Sequence, residues 1–264
     1  HVKQGRRQVG STFKPFVYAT AIREGYSPCY EVPNVKHCIE LPGKQEDWCP
    51  ENASHEYGGK LSLKYGLANS KNTITAWVMK QFGPEAVIKL AHDLGIHSPL
   101  DTVPSLALGV ADVSVHEMVS AHSTIVNKGV NIEPITITRI EDKNGNAIYN
   151  VIPETNEAMD EKTAYVMLDL MKGVVDGVEN PNTGKTRGTG MRIRYNRPYG
   201  GIQHPVAGKT GTSQNNADGW FIGSTPDLVS GVWVGAEDRS VQFHSTALGQ
   251  GANMALPIWG YFMN

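Results

Sequence analysis

Val206-Ala207-Gly208-Lys209-Thr210-Gly211-Thr212-Ser213 is the stretch on which the reading of this chain turns. It is followed at once by two further apolar runs, 217–223 and 228–235. Their lengths and short connectors predict antiparallel strands. The first of them carries unusual chemistry for a strand. Gly211 removes a side chain where a ligand would lie against the backbone. Lys209, with the Thr210 and Thr212 hydroxyls, makes a cationic, hydrogen-bonding seat suited to a terminal carboxylate. An extended peptide could also pair with the backbone of 209–212. Taken alone, a lysine there has a plainer use, as an edge charge that discourages aggregation.

Two other short elements give the strand a context. Ser70-Lys71-Asn72 falls between helical segments predicted at 61–69 and 73–82. Ser11-Thr12-Phe13-Lys14 opens a helix predicted over 12–24 and stopped by Gly25, with Pro15 tolerated in its first turn. The three-residue step puts the Lys14 amine and the Ser11 hydroxyl on one helix face. An amine whose proton is displaced by burial or a neighbouring charge can act as the base for a serine nucleophile. Ser-x-x-Lys by itself decides nothing, since a capping serine before a solvated lysine looks the same. Ser-x-x-Lys, Ser-x-Asn and Lys-Thr-Gly in that order form the motif set of penicillin-recognising serine enzymes.

Each element has a task in acyl transfer. Ser11 attacks a carbonyl and Lys14 takes its proton. The backbone amides of Ser11 and Thr212 form the oxyanion hole for the tetrahedral intermediate. Ser70 relays a proton between Lys14 and the leaving amine, and Asn72 offers a donor and an acceptor to a substrate amide. The expected catalytic set is therefore Ser11, Lys14, Ser70, Asn72 and Lys209, with Thr210, Gly211 and Thr212 binding substrate. The ligand class is a peptide ending in a free carboxylate.

The rest of the chain bounds this reading. The 264 residues are 40% hydrophobic and 19% charged, with a net charge of -2. That is the composition of a globular protein with no basic footprint for nucleic acid and no polybasic membrane patch. No run approaches a membrane span, and the first residue is not methionine, so the chain reads as an excised fragment. Cys29, Cys38 and Cys49 lie in one segment; they allow one disulfide and one free thiol, which would need an oxidising compartment. Residues 26–59 read as an irregular excursion, 85–94 and 114–127 as helices, 135–140 and 147–151 as a hairpin about Asn144-Gly145, and 161–175 as a helix. Residues 176–201 read as loop and 252–262 as a closing helix. His116, Glu117 and His122 do not have zinc spacing, and Thr183-Gly184-Lys185-Thr186 lacks the upstream glycine of a phosphate loop. They are read as a surface or half-buried helix and as a loop. No metal or cofactor is expected.

The chain resembles the transpeptidase domain of class A, bifunctional penicillin-binding proteins. The likeness runs beyond the three motifs to Arg7-Gln8-Val9-Gly10, Trp48-x-Pro50-x-Asn52, Gly66-Leu67-Ala68-Asn69, Ser105-Leu106-Ala107-Leu108-Gly109, Gly188-Thr189-Gly190 and Ala217-Asp218-Gly219-Trp220-Phe221. It implies an α+β, penicillin-recognising fold: an antiparallel sheet flanked by helices, with a helical subdomain beside it. Within a single 1–264 domain, roughly 26–130 would form the mainly helical subdomain, and roughly 1–25 with 131–264 the sheet-containing one. The N-terminal strands of the family's sheet are absent from this chain, so an incomplete sheet edge is expected. The resemblance also implies D,D-transpeptidase action on peptidoglycan stem peptides, acylation of the same serine by β-lactams, an upstream glycosyltransferase domain and membrane anchor, and work on the extracytoplasmic face of the bacterial membrane. The rivals are a non-synthetic β-lactam-sensing or wall-binding module and a serine β-lactamase. A Glu-x-x-x-Asn stretch of the kind that speeds deacylation in class A lactamases is missing between the second and third motifs.

Overall fold

The computed structural model describes residues 1–43, 45–195 and 198–264. At its centre lies an antiparallel sheet in which Ala207–Thr212 pairs with Asp218–Ser224, and that strand with Val229–Gly235. The middle strand is buried along its whole length. Side chains alternate across a strand, so Trp220 and Ile222 enter one hydrophobic core while Phe221, between them, enters a second. The second core is closed by the helix Ala255–Met263, whose Trp259 packs edge-on against Phe221 at 5.2 Å. The outer strand, Val229–Gly235, is only half-buried and has the middle strand as its one sheet partner among the described residues.

The other face of the sheet carries the helices that hold the motifs. Helix α1 (Lys14–Arg23) is buried on nearly every side, which is why its sequence shows no clear polar face. It packs against α3 (Asn72–Asp93) and α5 (Glu161–Asp176), with α2 (Leu63–Ala68) between them. A Cβ on Gly66 of α2 would lie 2.7 Å from the Tyr18 hydroxyl, so this glycine sets how closely α2 approaches α1. Helix α4 (Val115–Val126) begins with a capping box between Ser114 and Glu117. Burial would raise the Glu117 pKa, but hydrogen bonds from Ser114 and Ser98 outweigh it and bring it to about 2.

The elements depart from expectation where local signals compete. The run 61–69, expected as one helix, opens with the strand Lys60–Ser62, paired to Glu31–Pro33, and turns helical only at Leu63. Ser62 is the reason: its hydroxyl accepts from the Tyr65 amide at 3.1 Å and caps α2. The helices expected at 73–82 and 85–94 are separated at Gly83, where φ is 77° and ψ 162°. The excursion 26–59 is irregular, as read, except for the strand Glu31–Pro33, and it is tied down by the Cys38–Cys49 disulfide and an Ile39–Trp48 bridge. Cys29 is the free, exposed thiol. Within 176–201, expected as loop, Val178–Glu179 pairs with Thr186–Arg187 and Arg192–Tyr195 forms a helical turn; residues 196 and 197 of that stretch, like 44 of the excursion, lie outside the described residues. The hairpin about Asn144-Gly145 pairs over Arg139–Glu141 and Ala147–Asn150.

Candidate active site

The serine of the first motif sits in a tight turn rather than at the cap of an α-helix. Gly10–Phe13 is a 3-10 turn that runs into α1, and the Lys14 amide donates to the Ser11 carbonyl. In such a turn residues three apart eclipse each other, which places the Ser11 and Lys14 side chains on one face. Ser11 is half-buried, Lys14 completely buried. The turn is fixed from several sides. The Gly10 amide donates to the Gly109 carbonyl at 2.9 Å, the Trp220 indole to the Gln8 carbonyl at 2.9 Å, and a His122 ring nitrogen bonds the Thr12 carbonyl at 3.1 Å.

The motif strand presses directly on this turn. A Cβ on Gly10 would lie 2.5 Å from the Thr212 carbonyl oxygen, and one on Gly211 would lie 2.8 Å from that of Val9. Both backbones must be bare for them to touch. Gly10, at φ +53°, also needs the left-handed region that glycine enters without cost. This contact sets the Ser11 and Thr212 backbones next to each other.

The second motif closes the arrangement. The Lys14 ammonium donates to the Ser70 carbonyl at 2.8 Å, the Ser70 hydroxyl at 3.1 Å and Asn72 Oδ1 at 2.6 Å. Lys209, also completely buried, donates to the same Ser70 hydroxyl at 3.1 Å and to the Thr210 carbonyl at 3.0 Å. Ser70 thus lies between two ammonium groups. It has φ +54°, a conformation that costs a non-glycine residue about 1 kcal/mol or more and persists only where the surroundings enforce it.

The family model for the penicillin binding protein transpeptidase domain matches residues 2–238. The chain belongs to that family. It is 31% identical over 258 residues to penicillin-binding protein 1A of Aquifex aeolicus, and 34% identical over 238 residues to penicillin-binding protein 2D of Bacillus subtilis. These alignments take in 97% and 90% of this chain but 33% of each relative, so the chain spans about a third of the length of those relatives. In three dimensions it superposes on the crystal structure of penicillin-binding protein 1A from Haemophilus influenzae with a TM-score of 0.87. That likeness is at 24% identity and covers 99% of this chain and 42% of the other. The fold is the penicillin-recognising one, antiparallel sheet and helices together.

In this transpeptidase domain the electrostatics follow from burial. Desolvation first, and then the neighbouring Lys209 charge, hold the Lys14 pKa well below that of a free lysine. Burial brings Lys209 down to about 7. Neither ammonium has a carboxylate partner among the described residues. Both shifts favour the neutral amine, the form a general base needs.

The hydroxyls of the third motif are already engaged. Thr210 shares a hydrogen bond with the Thr189 hydroxyl at 2.7 Å. The Thr212 oxygen accepts from the Gly251 amide at 3.1 Å, which leaves its own proton free for an anion. Asp218, 2% exposed, ties the end of the strand by accepting from the Ser213 hydroxyl and the Trp233 indole.

Several of these residues carried no role in the sequence. Gly109, Thr189 and Trp220 all fall in segments that resembled the family without a stated task, and each now has one. The helix that carries His116, Glu117 and His122 is half-buried, as read, with His122 on its buried face, enclosed beneath the turn against Phe16. Burial is the main reason the His122 pKa falls to about 4, opposed by the Thr12 carbonyl and aided by Lys209. A single histidine on an amphipathic helix gives no signal that its neighbour is a carbonyl more than a hundred residues away.

Proposed function

We propose that this domain is the acyl-transferring centre of a peptidoglycan D,D-transpeptidase. The Ser11 hydroxyl attacks the carbonyl of the D-alanyl-D-alanine bond, and its proton passes to the Lys14 amine. The oxyanion is held by the Ser11 and Thr212 amides. The leaving D-alanine amine takes its proton through Ser70, and the ester on Ser11 then passes its acyl group to an acceptor amine of a second stem peptide. Lys209, Thr210 and Thr212 seat the terminal carboxylate, and Gly211 leaves the strand open to the peptide. β-Lactams acylate the same hydroxyl, because their ring carbonyl and carboxylate present the same pair of groups.

The observation that carries this reading is the Ser70 hydroxyl at 3.1 Å from both lysines: it makes a proton path from the base of the first motif to the carboxylate seat of the third. The Cys38–Cys49 disulfide supports action outside the cytoplasm, where such bonds persist. No helix of the described residues is long and apolar enough to cross a membrane. A membrane anchor and a glycosyltransferase domain would come from other parts of a longer protein, as the relatives' greater length allows.

Intact mass after incubation with penicillin tests the reading. One equivalent of stable adduct is expected, and none with Ser11→Ala. An adduct that survives Ser11→Ala, or turnover of many equivalents per minute as a β-lactamase would give, refutes it.

A further inference from the structure

The segment after the disulfide reaches across to the second motif and binds Lys71 and Asn72 of it, and Thr73 just beyond. The Glu51 carbonyl accepts from Asn72 Nδ2 at 2.7 Å. Asn52, 1% exposed, accepts at Oδ1 from the Thr73 amide at 3.2 Å. The Lys71 ammonium donates to the Ser54 hydroxyl at 2.9 Å and pairs with Glu56 at 3.0 Å. So 51–56 wraps the loop that carries Ser70 and Asn72.

Asn52 is the centre of this wrap. Helix α3 starts at Asn72, and the residue before it, Lys71, provides no side-chain cap. The orphan amide of Thr73, in the first turn, is satisfied instead by Asn52, twenty-one residues upstream. The other end of the Asn52 amide donates to Asn34 Oδ1 at 2.9 Å and to the Glu56 carbonyl at 3.0 Å. Its orientation is therefore fixed, since a flipped amide would set two donors against each other at Thr73.

The consequence falls on Asn72. An asparagine amide has two orientations, and only one puts oxygen toward Lys14. The Glu51 carbonyl can accept but not donate, so it holds the NH2 end of Asn72 and turns Oδ1 to the Lys14 ammonium at 2.6 Å. We propose that residues 51–56, through Asn52 as a remote helix cap and the Glu51 carbonyl as an orienting acceptor, are the positioning element of the Ser70-Lys71-Asn72 motif. In that role Asn52 touches neither substrate nor the reacting atoms; it acts through Asn72 and Ser70. This assignment rests on the acyl-enzyme reading above.

The test compares the second-order rate of Ser11 acylation by a fluorescent penicillin in the full chain with that in Asn52→Ala, across pH and per folded molecule. Loss of a helix cap is worth a factor of about ten, so a roughly tenfold slower rate is expected. The pH profile separates positioning from mere stability. Release of Asn72 removes an acceptor that favours the charged form of Lys14, so the limb on which the rate rises with pH moves to lower pH. Ser54→Ala, exposed, uncharged and outside the core, loosens the Lys71 anchor without threatening the fold. It is expected to slow acylation about twofold with a smaller shift in the same direction. A wild-type rate in folded Asn52→Ala, or a slower rate with an unmoved limb, overturns the proposal. If Asn52→Ala does not fold, wild-type rate and profile in Ser54→Ala overturn it. Absence of labelling in the unmodified chain would instead sink the acyl-enzyme reading, and this one with it.

Discussion

Gly10→Ala tests whether contact between two bare backbones holds Ser11 in register with the motif strand. Two costs follow from the geometry. At φ +53° an alanine is strained by about 1 kcal/mol. Its Cβ would also stand 2.5 Å from the Thr212 carbonyl oxygen, well inside ordinary contact, so the strand or the turn must move. Forcing a group into a packed site typically costs about 1–3 kcal/mol, for a total of roughly 2–4 kcal/mol. In a domain of this size that lowers Tm by roughly 5–15 °C. The kinetic effect is of similar size in free energy. A displacement of about 1 Å between reacting groups can cost a factor of about 100, and here it separates Ser11 from Thr212. Labelling by fluorescent penicillin in the folded protein, with thermal unfolding alongside, measures both. Gly25→Ala is the control: Gly25 follows α1 at φ +88° with nothing within 4 Å of an added Cβ. It should lose only about 1 kcal/mol to strain and label normally. If Gly10→Ala labels at the wild-type rate, or if both substitutions cost the same, the contact does not position the serine.

Two predictions concern charge. Lys209→Met removes the cation beside Lys14, so the Lys14 pKa should rise and the alkaline-going limb of the acylation profile should move to higher pH; a limb that stays or falls would show the two lysines to be uncoupled. His122 titrates at about 4 when folded and near 6.5 when unfolded, so between those values the unfolded chain binds the extra proton. Stability should therefore fall as pH drops from 6.5 to 4, by about 3 kcal/mol from this group. Denaturant titrations of the wild type and His122→Gln over that range check it, since the substitution should remove that part of the slope.

The family and most of the framework could be read from the sequence. The three motifs were legible as residue types in a fixed order, and the structure gathers Lys14, Ser70, Asn72 and Lys209 into one hydrogen-bonded cluster beside the turn that carries Ser11. The three late strands and the helix from 161 were legible because their apolar period or length has one local interpretation. Tertiary structure decided what local signals leave open. That the first motif begins in a 3-10 turn follows from the Thr212 and Gly109 backbones pressing on Gly10, not from the turn's own residues. The cap of α3 comes from Asn52, and the neighbour of His122 is the Thr12 carbonyl; both are hydrogen bonds between segments distant in the chain. The lysines' low pKa belongs to the same class. Ionisation depends on how much water and charge surround the amine, and burial of Lys14 and Lys209 exists only once helix and strand have closed over them.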